Sequence, residues 1–197
     1  CTVPIGWMAT LLKGLERYPE AAGVGGWYVP SDEDLKNNSI ARFMKFVSFF
    51  YKSPLNKFLI SHEILSNDPT MCFETFAYNT ANICFKKNIL KSIGGFREEF
   101  YWPGYEDNDL ALRILDSGFY MLYLPFHVIH SFPSDLASFF ELYFHRGANH
   151  YLFMKINREV LERIEPGLSL RDTYKFPILK NHLLYRPHKL LTSARFF

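Results

Sequence analysis

The run Ala21-Ala22-Gly23-Val24-Gly25-Gly26-Trp27-Tyr28-Val29 limits the fold more than any other stretch of this chain. A short, continuous apolar segment of this kind reads as a buried strand, and the missing side chains of Gly23, Gly25 and Gly26 let something approach its backbone closely. Before it, Trp7, Leu11, Leu12 and Leu15 recur at helical spacing over Pro4–Arg17, with Pro4 suited to a first turn and Pro19 closing the segment. After it, Ser31–Asn38 is polar and reads as a loop. Ile40–Tyr51 then reads as a helix with Phe43, Phe46, Val47 and Phe50 on one face. With Lys45, Lys52 and Lys57 nearby, that face can lie on an anionic membrane surface or, more commonly, pack against the domain.

Further along, Met71–Tyr78 and Asn82–Lys86 read as strands and Asn88–Ile93 as a helix ended by Gly94-Gly95. A charged and aromatic loop, Arg97–Tyr105, leads into a helix over Glu106–Ser117, where Leu110, Ala111, Ile114 and Leu115 form a stripe and Gly118 supplies the stop. Phe119–Leu124 and His127–His130 resemble buried strands around Pro125. Asp135–Lys155 reads as a long helix with Ser134 as its N-cap. Beyond Glu165, Pro166, Gly167, Pro177 and Pro187 interrupt helical fragments. Alternating helix and strand patterns make this an α/β chain.

Composition excludes several classes of function. At 197 residues, one domain with a self-sufficient core is expected. With 48% hydrophobic and 21% charged residues, the chain is not disordered. A net charge of +2 is too balanced for a protein that binds by neutralising nucleic-acid phosphates, so no nucleic-acid partner is expected. Aromatic residues reach 18%, enough for an aromatic-rich core and for flat surfaces that stack on ligands. Cys1, Cys72 and Cys84 form no C-x-x-C pair, which argues against a disulfide framework or structural zinc and for a reducing compartment, the cytoplasm or the cytoplasmic face of a membrane. The apolar stretches Phe43–Tyr51 and Phe119–Ile129 fall short of the ~20 residues that span a bilayer. The opening Cys1 leads directly into Pro4-Ile5-Gly6-Trp7, with neither an n-region nor an h-region, so the chain reads as a piece of something longer. A mature lipoprotein end at Cys1 is the lesser alternative.

The segment Gly104-Tyr105-Glu106-Asp107-Asn108-Asp109-Leu110 places three carboxylates within four residues at a helix start. There the helix dipole favours negative charge and keeps an Asp ionised near neutral pH, ready to act as a general base. Ordinary capping explains the same pattern. Pro103-Gly104 gives a bend that displays the carboxylates, and Trp102 and Tyr105 offer apolar faces for a sugar ring. A second acidic run, Asp32-Glu33-Asp34, lies in the polar Ser31–Asn38 loop and reads as a solvated charge cluster.

Read in order, Asn79-Thr80-Ala81-Asn82-Ile83-Cys84-Phe85-Lys86-Lys87, Ile93-Gly94-Gly95-Phe96, Glu106-Asp107-x-Asp109-Leu110 with Arg113, Gly118-Phe119 and Val128-Ile129-His130 resemble the second half of a family-2 glycosyltransferase with the GT-A fold. The resemblance runs from Cys1 to Gly147, since Cys1-x-x-Pro4-x-x-Trp7 and Pro19…Val24-Gly25-Gly26 are similar to the stretch just C-terminal to that family's nucleotide-binding half. It implies a partial GT-A mixed sheet flanked by helices. Residues 1–155 would form the acceptor-side part of the domain, with 31–70 a variable insertion and 156–197 a helical extension or tail.

The resemblance further implies a nucleotide-sugar donor and a glycan, lipid-linked or other hydroxyl acceptor, with inverting transfer. Asp107 would be the base and Glu106 would position it or the acceptor, while Asp109 and Arg113 pair structurally along the helix. Arg146, in His145-Arg146-Gly147, would meet donor diphosphate. Asn82 would contact the donor and Asn79, Trp102 and Tyr105 the acceptor, although a structural role fits both asparagines as well. His130 would be a metal ligand, or else a hydrogen-bonded strand-end histidine. The family's Asp-x-Asp belongs immediately upstream of Cys1, so the main ligands of a divalent cation, manganese or magnesium, are expected there. The rival reading is a non-catalytic carbohydrate-binding or assembly module.

Overall fold

A computed structural model describes residues 1–51, 73–75 and 80–164. Its centre is a four-stranded mixed sheet ordered β2-β4-β1-β3, built from β1 (Ala21–Val29), β2 (Phe73–Thr75), β3 (Ile83–Phe85) and β4 (Tyr120–Ile129). β1 and β4 run parallel in the middle, and the short β3 and β2 add antiparallel at the two edges. The glycines of β1 explain its central place. A Cβ on Gly26 would lie 1.9 Å from the Phe126 carbonyl oxygen and 2.7 Å from Asn82 Nδ2. What approaches this strand is therefore the backbone of its neighbours.

Helices cover both faces of the sheet. Successive residues of a strand point to opposite sides. Met121 joins Ala22 against Ile89 of α4 (Lys87–Ser92) and Leu110, Ala111 and Ile114 of α5 (Glu106–Asp116). Leu122 and Leu124 join Ala21 and Val24 against Leu11 of α1 (Trp7–Arg17). A third cluster, Leu112, Met154 and Leu161, ties α5 to α6 (Leu136–Ile156) and α7 (Arg158–Ile164). Residues 165–197, most of the expected extension, lie outside the described residues, as do most of the Met71–Tyr78 strand and the second half of the 31–70 insertion.

Several local expectations are corrected. α1 begins at Trp7 rather than Pro4, because Gly6 adopts a left-handed conformation (φ 80°) immediately before it. Ser31–Asn38 is not a loop: α2 (Asp32–Asn37) is capped by Ser31, whose Oγ accepts from Asp34 N at 2.9 Å. α3 (Ser39–Tyr51) comes next, and Asn38 Oδ1 accepts from Ile40 N and Ala41 N at its start. Phe43 meets Phe139 edge-on, yet Phe43 and Phe46 remain more than half exposed. The strand pair expected around Pro125 is the single strand β4. Its pairing with β1 slips between Gly25↔Tyr123 and Trp27↔His127, so Pro125 falls in an irregularity where its missing N–H leaves no ladder bond unmade. The N-cap of α6 is Asp135, not Ser134, and Asp135 Oδ1 accepts from Ser138 N at 2.8 Å. Among the described residues, no helix is long and apolar enough to cross a membrane.

Candidate functional site

The C-terminal ends of β1 and β4 bring Tyr28 and His130 together, and the first turn of α5 and the middle of α6 bring Asp107 and Arg146 beside them. α5 starts in an unusual way. Its N-cap, Tyr105, has φ 69° and supplies no capping side chain, and Gly104 before it has φ 116°. The loop is held from α6 instead. Asn149 Nδ2 donates to the Trp102 and Gly104 carbonyl oxygens at 2.6 and 2.8 Å. Tyr105 stacks on His150 with ring centroids 4.7 Å apart, and Trp102 stacks on His145 at 3.8 Å. A Cβ on Gly104 would sit 2.7 Å from Arg146 Cγ, so the glycine admits the arginine stem. Glu106 Oε2 accepts from Gly104 N, which makes Glu106 a brace of this loop.

Asp107 lies inside this frame. Its Oδ1 accepts from Asn108 N at 2.8 Å. A helix start alone implies a well-ionised carboxyl, but the pKa of Asp107 is pushed up to about 6. Burial is the largest cause and the neighbouring Glu106 adds to it, while the Asn108 N–H and Arg146 pull the other way. The dipole of the first turn loses to desolvation. A carboxyl at about 6 is still mostly ionised at pH 7, and it is far better matched to proton transfer there than an ordinary aspartate.

Asp109 has the opposite fate. It is fully buried, with Oδ1 2.8 Å from Arg97 Nη1 and from Asn157 Nδ2, and Oδ2 2.8 Å from Arg113 Nε. Arg113 also donates to the carbonyls of Ile93 and Gly95, so this carboxylate pins α5 to the Gly94-Gly95 turn and to the start of α7. The expected structural pairing of Asp109 with Arg113 is present in the geometry.

Asn82 is corrected. It has no exposed surface, its Oδ1 accepts from Trp7 Nε1 at 2.8 Å, and its Nδ2 donates to the carbonyls of Trp27 and Phe126. With its amide engaged on three elements, it braces the sheet and offers nothing to a donor. Asn79 lies outside the described residues. Trp102, at 43% exposure, keeps surface available to a ligand, whereas Tyr105 is packed between His150 and Phe153.

His130 Nδ1 is 2.7 Å from Cys1 Sγ, and its ring meets Tyr28 and Phe132 edge-on. Burial, with Arg146 among the positive groups nearby, pulls the imidazole below its ordinary value and favours the neutral form. Among the described residues, no group of three or more His, Cys, Asp or Glu side chains is placed to hold a metal ion. One imidazole and one thiol are too few donors and too soft a set for manganese or magnesium. The described residues therefore do not by themselves fit that cation.

Tyr28 was not among the sequence candidates. Burial pushes its phenol up, Arg146 opposes this, and Tyr143 and Asp107 add to it. Arg146 thus acts on Asp107, His130 and Tyr28 together. Asn149 was missed as well, although it stands one turn beyond Arg146 on the same face of α6, which is the signal that finds it.

A family model described as the N-terminal domain of galactosyltransferase matches residues 66–145, less than half of the chain. The matched span contains Asp107, Asp109 and His130 and stops one residue short of Arg146. No curated protein and no solved structure matches. The match supports a glycosyltransferase domain over residues 66–145, and the mixed sheet flanked by helices is consistent with part of a nucleotide-sugar transferase fold.

Proposed function

We propose that this domain transfers a sugar from a nucleotide-sugar to a hydroxyl acceptor with inversion, as in the family-2 enzymes it resembles, and that Asp107 is the general base. The acceptor O–H gives its proton to the Asp107 carboxylate. The freed oxygen pair attacks the anomeric carbon, and the bond from that carbon to the diphosphate oxygen breaks on the opposite face. Arg146 carries the positive charge that meets the departing diphosphate, and Trp102 offers its exposed ring surface to the acceptor. Glu106 keeps the Gly104 backbone in place and raises the proton affinity of Asp107. A divalent cation would take its main ligands from outside the described residues, with His130 the one ligand contributed here, and no part of this proton transfer depends on it.

The observation that carries this reading is the half-buried Asp107 carboxyl at the start of α5, pushed up to about 6 by desolvation and Glu106 and held within the field of the Arg146 guanidinium. The matched family's description makes a nucleotide-activated galactose the first donor to try. The test is transfer and donor hydrolysis by the intact protein against UDP-galactose, UDP-glucose, UDP-N-acetylglucosamine and GDP-mannose, each with and without manganese. One donor is expected to be turned over, and Asp107→Asn should lower that rate by about 100-fold or more while leaving donor affinity nearly unchanged. Full turnover by the variant removes Asp107 from the chemistry. Donor or glycan binding without turnover in the wild type favours the non-catalytic module.

A further inference from the structure

The loop that delivers Asp107 is braced by Glu106 from its own side and by α6 from the other. Gly104 and Tyr105 both lie at positive φ, and a tyrosine keeps that conformation only where its surroundings impose it. One side chain of α6 reaches this loop at two points. Asn149 is buried, with 4% of its surface exposed, and its amide nitrogen donates to this loop twice, to the carbonyls of Trp102 and Gly104. These two residues flank Pro103, and the second directly precedes the left-handed Tyr105. On the same face of α6, His150 stacks on the Tyr105 ring and Arg146 covers Gly104.

We infer that Asn149 is the positioning residue of the transfer reaction: by fixing the Trp102 and Gly104 carbonyls it locks the Gly104-Tyr105 pair, and so sets where α5 begins and where the Asp107 carboxyl sits. The inference rests on the reading of Asp107 as the base. A leucine has nearly the same shape and no donor, so it leaves both carbonyls without their partner. A serine keeps one donor and is the milder change. Neither alters Glu106, Arg146 or Tyr28, the charged and titratable groups that act on Asp107.

The experiment has two readouts on the intact protein carrying Asn149→Leu or Asn149→Ser. The first is kcat and KM for whichever of the four nucleotide-sugars is turned over, and the second is the Asp107 carboxyl titration followed by carbon NMR and assigned with Asp107→Asn. With Leu, kcat should fall about tenfold or more, with Ser less, and KM should stay within about twofold. The Asp107 midpoint should move from about 6 toward the ordinary aspartate range as the loop admits water. An unchanged midpoint in a folded variant overturns the inference, whether kcat holds or falls only in step with the folded fraction. If the Leu variant does not fold, the Ser variant is judged by the same criteria. Full activity in Asp107→Asn sinks the base assignment instead, and leaves the midpoint shift in the Asn149 variants to stand or fall separately.

Discussion

Asp32-Glu33-Asp34 opens α2 and Glu106-Asp107-Asn108-Asp109 opens α5, and on composition the two runs are near copies. In α2 the acids stand directly after a serine cap, and no residue of the helix is buried. In α5 no side chain caps the helix, the N-cap tyrosine is left-handed, Asp109 is fully buried and Asp107 is desolvated. An acidic helix start is thus no site in itself. What sets α5 apart is that another element, α6, takes over the loop before the helix, and the Asp107 carboxyl is partly withdrawn from water.

The largest effect on stability should come from Asp109. Asp109→Asn keeps the shape but removes the charge facing Arg97 and Arg113, and leaves two guanidinium groups against a neutral amide. Removing one partner of a buried pair costs about 3 kcal/mol or more, so denaturant or thermal unfolding should show a midpoint lowered by roughly 6–12 °C. The same change at Glu33 should leave the midpoint almost unmoved. Equal effects at both positions would erase the contrast between the two helices.

Much of this frame was legible in sequence. β1 has the bounds its apolar run implied, and the Asp109–Arg113 pair follows from a four-residue spacing on one helix. α2 was missed because it is polar all round and lacks an apolar stripe, although Ser31 with Asp34 three residues later was a visible capping signal. For Asn82 the sequence leaves donor contact and a structural role side by side, because the partners that decide for bracing, Trp7, Trp27 and Phe126, come from three separate elements. The direction of the Asp107 shift was illegible for a similar reason. The helix dipole is local and readable, whereas the burial that outweighs it comes from packing between distant parts of the chain.

Asp107 itself offers a smaller and pH-dependent effect. The folded carboxyl holds its proton up to about pH 6, while an unfolded aspartate releases it at about 4. Folding therefore takes up a proton in that window, and stability is fully present below about pH 4 and is lost as pH rises through 6. An asparagine does not titrate. Asp107→Asn should match the wild type in its pH dependence below 4 and then gain on it, reaching a relative stabilisation of about 1–2 kcal/mol at pH 7 to 8, a figure reduced for the carboxyl's residual solvent contact. Such a gain, read from denaturation curves at pH 4, 6 and 8, is what a group placed for chemistry rather than for stability should show. A difference that does not change with pH would put Asp107 in the same class as the acids of α2.

The smallest effect belongs to the cap of α2, and it tests the other half of the comparison. Ser31 Oγ accepts from Asp34 N and donates to Asp34 Oδ2, both at 2.9 Å, so Ser31→Ala removes a reciprocal pair and costs about 1 kcal/mol. Because α2 buries no residue, the loss should stay local and lower the thermal midpoint by at most about 2–4 °C. Transfer should be unchanged once rates are corrected for folded fraction. If the corrected rate falls, the acids of α2 act on the reaction through some route other than their own helix, and burial no longer separates the acidic run that does chemistry from the one that only starts a helix.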